Sequence, residues 1–358
     1  MKTKIIYLTA QKIPTIKAHS VQILKMCEGF SNFFKTTLIC GKTSNRYYFK
    51  NKKKIKIKYF KYSNNKVMLL VQKFFLSLFL SRKKNIMYYT RDIHFAFLLS
   101  IFTKKKIFLE LHFPYINKNL LSYYLLRLIF RKINIKVIFI SKSLFTIYKK
   151  NFKNIRSKYT IAHDASEDFK SLSPKTKTIN VGYSGHLYNG RGISLIIKLA
   201  EKFKDFNFNI AGGDNKLLSY YREKTIKIKN LKFFGHIPHN SLNNFFSLNH
   251  ILIAPYENKV TLGNNVETSS FMSPLKIFEY MSSKKPFISS NHKVLREVLV
   301  HNKNCLLCAP GNIDDWTNAL IRLKSSKLRR HLSNQSYKDF KSNYNWKIRV
   351  EKVLDLKS

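Results

Sequence analysis

Residues 271–289, FMSPLKIFEYMSSKKPFIS, combine side chains that could bind an anion together with a sugar. Ser273 and Pro274 predict a helix start, because a hydroxyl can cap free N–H groups and proline suits the first turn. Such a start presents N–H groups and the positive end of the helix dipole to an anion. Lys276 adds a positive charge, and Glu279 could accept hydrogen bonds from sugar hydroxyls. An ordinary amphipathic helix before a buried strand is the alternative interpretation.

A glycine-rich turn, SGHLYNGRG, lies between the strand-like residues 180–183 and a predicted helix that begins at about Ile193. Gly185, Gly190 and Gly192 would let the backbone come close to a ligand. The turn is neither a Walker A loop nor a GxGxxG motif, so phosphate binding is one interpretation and a plain tight turn is the other.

Polar side chains follow successive predicted strands in the first half of the chain. In parallel α/β sheets, ligands bind beyond the carboxyl ends of the strands. Each residue taken singly could instead cap a helix or form a turn. The residues at these strand ends are Thr90-Arg91-Asp92, His112, Ser141 and His163-Asp164.

Alternating strand and helix patterns predict an α/β fold built on parallel sheets. The strands Ile5–Thr9 and Thr37–Cys40 flank a predicted helix, VQILKMCEGF. A second sheet begins near residue 180, after a polar segment, 166–178, that we interpret as an interdomain linker. The length of 358 residues is sufficient for two domains that each bury a core.

The chain is strongly basic, with 66 Lys and Arg against 19 Asp and Glu and a formal charge of +47. Three explanations remain open: compositional drift, attraction to an anionic membrane surface, and nucleic-acid binding. No helix-turn-helix, zinc-finger or RNP pattern accompanies the charge, so it is the sole support for nucleic acid.

Several other segments bear on location. Cys27, Cys40, Cys305 and Cys308 form no disulfide or zinc pattern, which predicts reduced thiols. The N-terminal apolar run is too short for a signal peptide. The run Val67–Leu80 is too short to span a membrane, and we predict a buried helix there, with an amphipathic membrane-surface helix as the alternative.

The SPLKIFEYMSSKKPFIS segment closely resembles the donor-binding segment of retaining glycosyltransferases of the GT-B type, the glycosyl transferases group 1 family. IPTIKAHSVQILKMCEGF, YTRD, ELHFPY, ISKSL and AHDAS are similar to N-terminal landmarks of its SPLK-type branch. The resemblance implies two Rossmann-like domains whose parallel sheets face each other across a cleft. It places an acceptor domain at 1–168, a nucleotide-sugar donor domain at 169–340, and a helix at 341–358 that crosses back to the first domain.

The resemblance also implies roles for individual residues. The helix start would hold the donor diphosphate, Glu279 the nucleotide ribose, and Arg191 the diphosphate. His112 would lie near the transferred sugar, and Arg91 and His19 would face the acceptor. The implied catalytic residues are His112, Arg191 and Glu279, and the implied donor-binding residues are Gly185, His186, Arg191, Gly235, Ile237, Ser273, Pro274, Leu275, Lys276 and Glu279.

Two positions depart from the family pattern. Phe271 stands where many members carry a second glutamate, and His186 replaces the usual arginine. These departures keep open a relative that uses the same donor differently, such as an epimerase, or a member that no longer transfers. A polyanion-binding or nucleic-acid-binding protein is the rival outside this family.

The expected activity is retaining transfer of a sugar from UDP or GDP to a glycan or lipid-linked acceptor, in surface polysaccharide or glycoconjugate biosynthesis. The chain contains no Asp-x-Asp motif, so neither a metal nor another cofactor is expected. Expected partners are the nucleotide sugar, the acceptor and an anionic membrane surface, without specific nucleic acid. The expected location is cytoplasmic, with peripheral attachment to the inner face of the membrane as an alternative.

Overall fold

The computed structural model describes residues 3–15, 17–43, 55–60, 63–117, 120–261 and 266–356. The polar loop 257–270, which the sequence suggests could close over the donor, lies partly outside these residues, at 262–265. Thirteen strands and twelve α-helices are described. The strands are β1 Lys4–Ile13, β2 Lys35–Lys42, β3 Lys56–Phe60, β4 Ile86–Thr90, β5 Ile107–Leu111, β6 Ile135–Phe139, β7 Lys158–Ile161, β8 Ile179–Ser184, β9 Phe206–Ala211, β10 Leu231–Gly235, β11 Ile251–Ala254, β12 Phe287–Ser290 and β13 Leu306–Cys308.

The helices connect these strands in the order that parallel pairing requires. They are α1 Ala18–Phe30, α2 Lys66–Ser81, α3 Ile93–Phe102, α4 Leu120–Ile129, α5 Lys142–Asn151, α6 Ile193–Lys202, α7 Asn215–Lys224, α8 Leu242–Ser247, α9 Leu275–Ser282, α10 Ile313–Arg322, α11 Ser326–Asn343 and α12 Trp346–Leu354. No helix in the described ranges is both long and apolar enough to cross a membrane.

The chain divides into two compact units, here called the N-terminal unit (Met1–His163 with Trp346–Ser358) and the C-terminal unit (Asp164–Asn345). The sequence places these boundaries after residues 168 and 340 instead. The predicted linker 166–178 lies within the C-terminal unit, where its backbone binds the end of α9. Lys170 N donates to Ser282 O at 2.9 Å, and Ser171 N donates to Ser283 O at 3.0 Å.

In the N-terminal unit, a seven-stranded sheet has the order β3-β2-β1-β4-β5-β6-β7, and every pair is parallel. Every residue of β5 and β6 is buried, as expected for central strands that helices cover on both faces. The last helix, α12, packs against α1 of this unit.

In the C-terminal unit, a six-stranded parallel sheet has the order β10-β9-β8-β11-β12-β13. Two clusters of buried apolar side chains form its core. The prediction of an α/β protein with two Rossmann-like parallel sheets is therefore confirmed.

The prediction of a buried helix at Val67–Leu80 is wrong. The helix is present as α2, but Val67, Phe75 and Phe79 are 73%, 63% and 60% exposed. The side that faces the unit carries Lys73, Ser77 and Leu80 instead. Lys73 is held there by an ion pair with Asp92, which the periodicity of apolar residues does not reveal.

Candidate active site

Three glycine-bearing loops of the C-terminal unit meet at the carboxyl ends of β8, β9 and β10. Gly185 N donates to Ala211 O at 2.9 Å, and Gly212 N donates to Gly235 O at 2.6 Å. A Cβ atom built at Gly212 would lie 1.9 Å from the carbonyl oxygen of Gly185. Only glycine permits this approach, so the loops form a backbone surface at the edge where α/β sheets bind ligands.

The start of α9 lies in the same unit, but Ser273 does not cap it as predicted. Its hydroxyl accepts a hydrogen bond from Asp164 N at 2.9 Å, and Pro274 occupies the cap position without a side-chain hydrogen bond. The prediction of a serine cap is wrong because the hydroxyl is used by the segment that enters this unit. The first N–H groups of α9 consequently have no side-chain cap within the described residues, which suits an anionic ligand.

Lys276, in the first turn of α9, is 9% exposed. Its ammonium group lies 3.7 Å from the ring centroid of Tyr183 and 5.3 Å from that of Tyr256. A Cβ atom at Gly185 would lie 2.7 Å from the Lys276 Nζ, so the ammonium group touches the first glycine loop. Burial lowers the pKa of Lys276 well below its usual value, and the charge of Arg191 lowers it further.

Arg191 supplies a second cation between the glycine turn and α6. Its Nη2 donates to Thr261 O at 3.4 Å, and its guanidinium carbon lies 5.7 Å from the ring centroid of Tyr256. The Arg191 Nε is buried and has no hydrogen-bond partner within the described structure. An unsatisfied buried donor costs about 1–3 kcal/mol, a penalty that an anionic ligand would remove.

Neither of these two cations has a carboxylate within ion-pair distance in the part of the chain that the structure describes. His186 does not add a third charge near neutral pH. Burial, together with the charges of Arg191 and Lys276, lowers its pKa to about 4. The neutral His186 ring stacks on Tyr188 with centroids 5.0 Å apart.

Glu279, one turn further along α9, contacts a histidine rather than a lysine. His239 Nε2 lies 3.2 Å from Glu279 Oε1, and His239 Nδ1 lies 3.2 Å from Glu167 Oε2. Burial alone would lower the pKa of His239, but hydrogen bonds with the two carboxylates raise it to about 9. The protonated ring therefore fixes the Glu279 carboxylate at neutral pH.

In the N-terminal unit, the predicted residues surround a buried carboxylate, Glu110, which is fully buried in β5. Arg91 Nη2 donates to Glu110 Oε1 at 3.0 Å, and His112 Nε2 hydrogen-bonds to the same oxygen. Gln22 Nε2 donates to it at 2.9 Å, and Tyr89 donates its hydroxyl to Oε2. Burial opposes ionisation, but the neighbouring cations hold the pKa of Glu110 well below its usual range.

Arg349, from α12, supplies a further cation to this cluster. Its Nη1 lies 3.0 Å from Glu110 Oε2, and its Nε donates to His163 O at 2.8 Å. The Arg349 side chain is 1% exposed, so a buried ion pair ties α12 to the middle of the sheet.

His19, at the start of α1, completes the group that the sequence predicts in this unit. Burial and the charges of Arg91, Lys17 and His112 lower the pKa of His19 to about 4. His19, Arg91 and His112 therefore lie in one electrostatic environment, on the segments that follow the neighbouring strands β1, β4 and β5: His19 in the first turn of α1, and Arg91 and His112 on loops. Asp92 and Ser141, also at strand ends, are helix caps.

Residues 164–339 match the glycosyl transferases group 1 family. This match covers nearly all of the C-terminal unit, including its glycine loops and α9. The C-terminal unit therefore carries the domain of that family, over just under half of the 358 residues of the chain. No curated protein matches the sequence significantly.

Solved structures of glycosyltransferases show the same fold over both units. A glycosyltransferase from Rickettsia africae is 14% identical, with a TM-score of 0.76 over 99% of this chain and 97% of that chain. Anabaena Alr3699/HepE, solved with UDP and glucose, is 11% identical, with a TM-score of 0.70 over 99% of each chain. The apo lipopolysaccharide outer core galactosyltransferase WaaB is 15% identical, with a TM-score of 0.70 over 98% of each chain. The GT-B fold is confirmed.

In this glycosyltransferase, the donor-site residues predicted from the sequence lie around the glycine loops and α9. Arg191, Lys276 and His186 influence one another electrostatically, and Glu279 acts on Lys276. Gly235 ends β10 and Ile237 follows it, beside the loop that carries Gly212.

The helix α9, which carries Lys276 and Glu279 of the segment predicted to bind the donor, is buried along almost its whole length. Seven of its eight residues, Lys276 to Ser282, are buried. Tyr280 ties it to β8, because its hydroxyl accepts a hydrogen bond from Ser184 N at 2.9 Å. The polar side of α9 therefore faces the interior of the unit, where Lys276 and Glu279 meet the glycine loops and His239.

Sequence reasoning missed several residues that the glycosyltransferase uses to hold these side chains. Glu110 carries a signal that could have been found, because it interrupts an apolar strand and is the sole acidic residue between Asp92 and Asp164. The sequence gives no such signal for His239, Glu167 and Arg349, because their partners are distant in sequence.

Proposed function

We propose that this glycosyltransferase binds the diphosphate of a nucleotide sugar at the start of α9, between Lys276 and Arg191. The observation that supports this most directly is that Lys276 is buried, that the Arg191 Nε is buried without a hydrogen-bond partner, and that neither side chain has a carboxylate partner in the described structure. Burying an uncompensated charge is costly, so such a site gains most from a ligand that brings negative charge. Glu279, held by His239, would accept hydrogen bonds from the ribose hydroxyls.

We further propose that transfer retains the configuration of the anomeric carbon. The bond between that carbon and the diphosphate oxygen breaks, and the acceptor oxygen bonds to the carbon on the same face. The proton of the acceptor hydroxyl passes to the departing diphosphate oxygen. Arg191, Lys276 and the N–H groups of α9 stabilise the negative charge that develops there, in place of a metal ion.

The N-terminal unit would bind the acceptor, a glycan or lipid-linked sugar of surface polysaccharide or glycoconjugate biosynthesis. Arg91 and His19 are the proposed acceptor-binding residues, and His112 is the proposed catalytic residue of this unit. The enzyme would work in the cytoplasm, on the inner face of the membrane. The basic charge of the chain supports that location, because anionic lipids attract lysine and arginine.

The direct test is thermal stabilisation of the purified protein by a panel of UDP- and GDP-sugars. A ligand present at a hundred times its dissociation constant stabilises the folded state by about 2.7 kcal/mol. We expect a clear rise in Tm with one nucleotide, and no rise in the Glu279→Ala variant. The control is Glu201→Ala, which removes an exposed carboxylate on α6 and should respond like the wild type.

Transfer itself would be measured with the nucleotide sugar that gives the shift and an acceptor glycan, and the anomer of the product read by NMR. A product of inverted configuration would overturn the retaining assignment. Nucleotide binding without transfer to any acceptor would indicate a member that no longer transfers. Absence of any shift from a folded protein would overturn the donor site.

A further inference from the structure

The helix α2 carries its apolar side chains on the side away from the protein. Val67, Val71, Phe74, Phe75 and Phe79 are all exposed, and at helical spacing they form one continuous face. No charged residue lies on this face within the helix, since its two charges are Lys66 at the first position and the buried Lys73. Water is an unfavourable environment for such a face.

A second helix of this unit, α4, also exposes apolar side chains. Both α2 and α4 pack against α3, and the rings of Phe74 and Phe102 meet edge to face with centroids 5.2 Å apart. On α4, Leu120, Leu121 and Tyr124 are exposed, at 71%, 59% and 50%. One layer of helices in the N-terminal unit therefore presents two apolar faces to solvent. Surface patches of this kind mark sites of interaction with proteins or membranes.

Cations lie at the C-terminal end of α2, and acidic side chains are scarce in this part of the sequence. The Lys83 ammonium group lies 4.8 Å from the ring centroid of Phe79, with the exposed Arg82 and Lys84 beside it. Between residues 63 and 163 the sequence contains two acidic residues, and both are ion-paired in the structure: Asp92 with Lys73, and Glu110 within its cluster.

The charge is concentrated in this unit. The N-terminal unit has 39 Lys and Arg against 5 Asp and Glu, a formal charge of +34 of the total +47. The C-terminal unit has 27 against 14 and carries the remaining +13. Compositional drift would be expected to act on both units alike, so the asymmetry favours a functional origin of the charge.

We propose that the exposed faces of α2 and α4 form a membrane-docking surface that binds a bilayer containing anionic lipid. The aromatic and aliphatic side chains of α2 would enter the boundary between headgroups and acyl chains. Lys83, Arg82 and Lys84 would remain at the level of the phosphates. An interfacial helix has this composition, with an apolar face and cations at its border. This surface would provide the attachment for the membrane location proposed above, and only its biological purpose rests on that proposed function.

A lipid surface fits this face better than a protein partner does. A bilayer can accept the uncharged apolar face among its acyl chains. Its many dispersed phosphates can at the same time attract the lysines and arginines of this unit. A second copy of this chain would bring the same positive charge to the interface, and repulsion would oppose its docking.

The test is co-flotation of the full-length protein with vesicles of phosphatidylcholine alone or with phosphatidylglycerol added. We expect flotation with the anionic vesicles and little with the neutral ones. Phe75→Ser combined with Phe79→Ser should reduce the bound fraction roughly tenfold or more, because two large apolar side chains no longer leave water. Lys83→Gln combined with Lys84→Gln should weaken binding less, and this loss should be greatest at low salt.

Matched control variants come from the C-terminal unit. Tyr220→Ser combined with Ile226→Ser removes exposed apolar side chains there, and Lys227→Gln combined with Lys229→Gln removes exposed charges. Both should float like the wild type. The proposal would be overturned if the α2 variants also floated normally, or if the wild type bound neither kind of vesicle.

A concentration-dependent dimer seen by sedimentation, and lost in the α2 variants without any flotation of the wild type, would assign the face to a second copy instead. The thermal response to nucleotide sugars is measured on the same proteins. A missing response with intact flotation would count against the donor site alone, so the failures of the two proposals can be told apart.

Discussion

The two units each bury charged side chains at the carboxyl ends of their strands, but they balance the charges differently. In the N-terminal unit, the Glu110 carboxylate contacts Arg91, His112 and Arg349, so the cations meet an anion that the protein itself supplies. In the C-terminal unit, Lys276 and Arg191 lie against aromatic rings, without a carboxylate in contact within the described residues.

The difference distinguishes a cluster suited to stabilise the fold, around Glu110, from a cluster suited to bind an anionic ligand, Lys276 with Arg191. A buried ion pair becomes strongly destabilising when one partner is removed, because the other charge stays behind uncompensated. A buried cation without a partner already carries that cost in the free protein, and an anion that binds to it relieves the cost. The first cluster should therefore control stability, and the second should control affinity.

The largest effect should come from Glu110→Gln. The amide keeps the shape of the side chain but leaves Arg349 and Arg91 without a buried anion, so unfolding of the N-terminal unit should cost about 3–5 kcal/mol less. Urea unfolding followed by tryptophan fluorescence can be assigned to one unit, because the chain has one tryptophan in each, Trp346 and Trp316.

The measurement is made in a Trp316→Phe background, so that Trp346 on α12 reports the unit that contains Glu110. Glu351→Gln is the control, because Glu351 is only 3.8 Å from the exposed Lys347 on the same helix and should change stability by less than about 1 kcal/mol. A Glu110→Gln variant as stable as the wild type would show that the cluster is not a structural one.

The second-largest effect should come from Lys276→Met, which should lower the affinity for nucleotide without lowering the stability of the protein. Removing an ammonium group whose charged form burial already disfavours should leave the free protein as stable as before or slightly more stable. Affinity for a nucleoside diphosphate should fall roughly 10- to 100-fold, the value of one hydrogen bond to a charged group. Isothermal titration calorimetry and urea unfolding would measure the two quantities.

Lys285 offers a matched control for Lys276. It is also buried, but its ammonium group donates to Leu172 O at 2.6 Å. Lys285→Met should therefore destabilise the unit, because it leaves that carbonyl oxygen unsatisfied, and it should leave nucleotide affinity unchanged. The same loss of affinity in both variants would contradict a specific role for Lys276.

Sequence patterns predict the fold well because the rules for parallel sheets are local. The strand at 107–111 and the start of α6 at Ile193 lie where the apolar runs and Gly192 place them. Gly192 has φ of 73°, and a Cβ there would lie 1.8 Å from Pro255 O, so the glycine marks the helix start for a steric reason. Residue types and spacing in 271–289 predict a possible anion site, and the resemblance of this segment to a known donor-binding segment supplies the donor role.

Pattern analysis fails where the partner of a side chain is distant in sequence. Ser273 looks like a helix cap, but its hydroxyl binds Asp164, more than a hundred residues earlier. The apolar run in α2 looks like a core helix, because periodicity indicates which residues share a face and not which way that face points. Glu110 and Arg349 meet only because α12 returns to the N-terminal unit.

The smallest effect should be a pH dependence in the C-terminal unit that His239→Gln removes. The folded-state pKa of His239 is about 9, above the value of about 6.5 expected in the unfolded chain. Its interactions with Glu279 and Glu167 should therefore stabilise the unit fully below about pH 6.5, and this stabilisation should be lost as the pH rises through about 9. Because the side chain is partly exposed, we expect a contribution of about 1–2 kcal/mol.

Lys276 should act in the opposite direction, because its pKa is lowered in the folded state, so stability that depends on it rises with pH. The quantity to measure is the difference in unfolding free energy that His239→Gln causes at pH 6 and at pH 10, in a Trp346→Phe background that leaves Trp316 as the fluorescent reporter of the C-terminal unit. A difference that is large at pH 6 and small at pH 10 would establish His239 as the group that holds Glu279, and a difference independent of pH would contradict it.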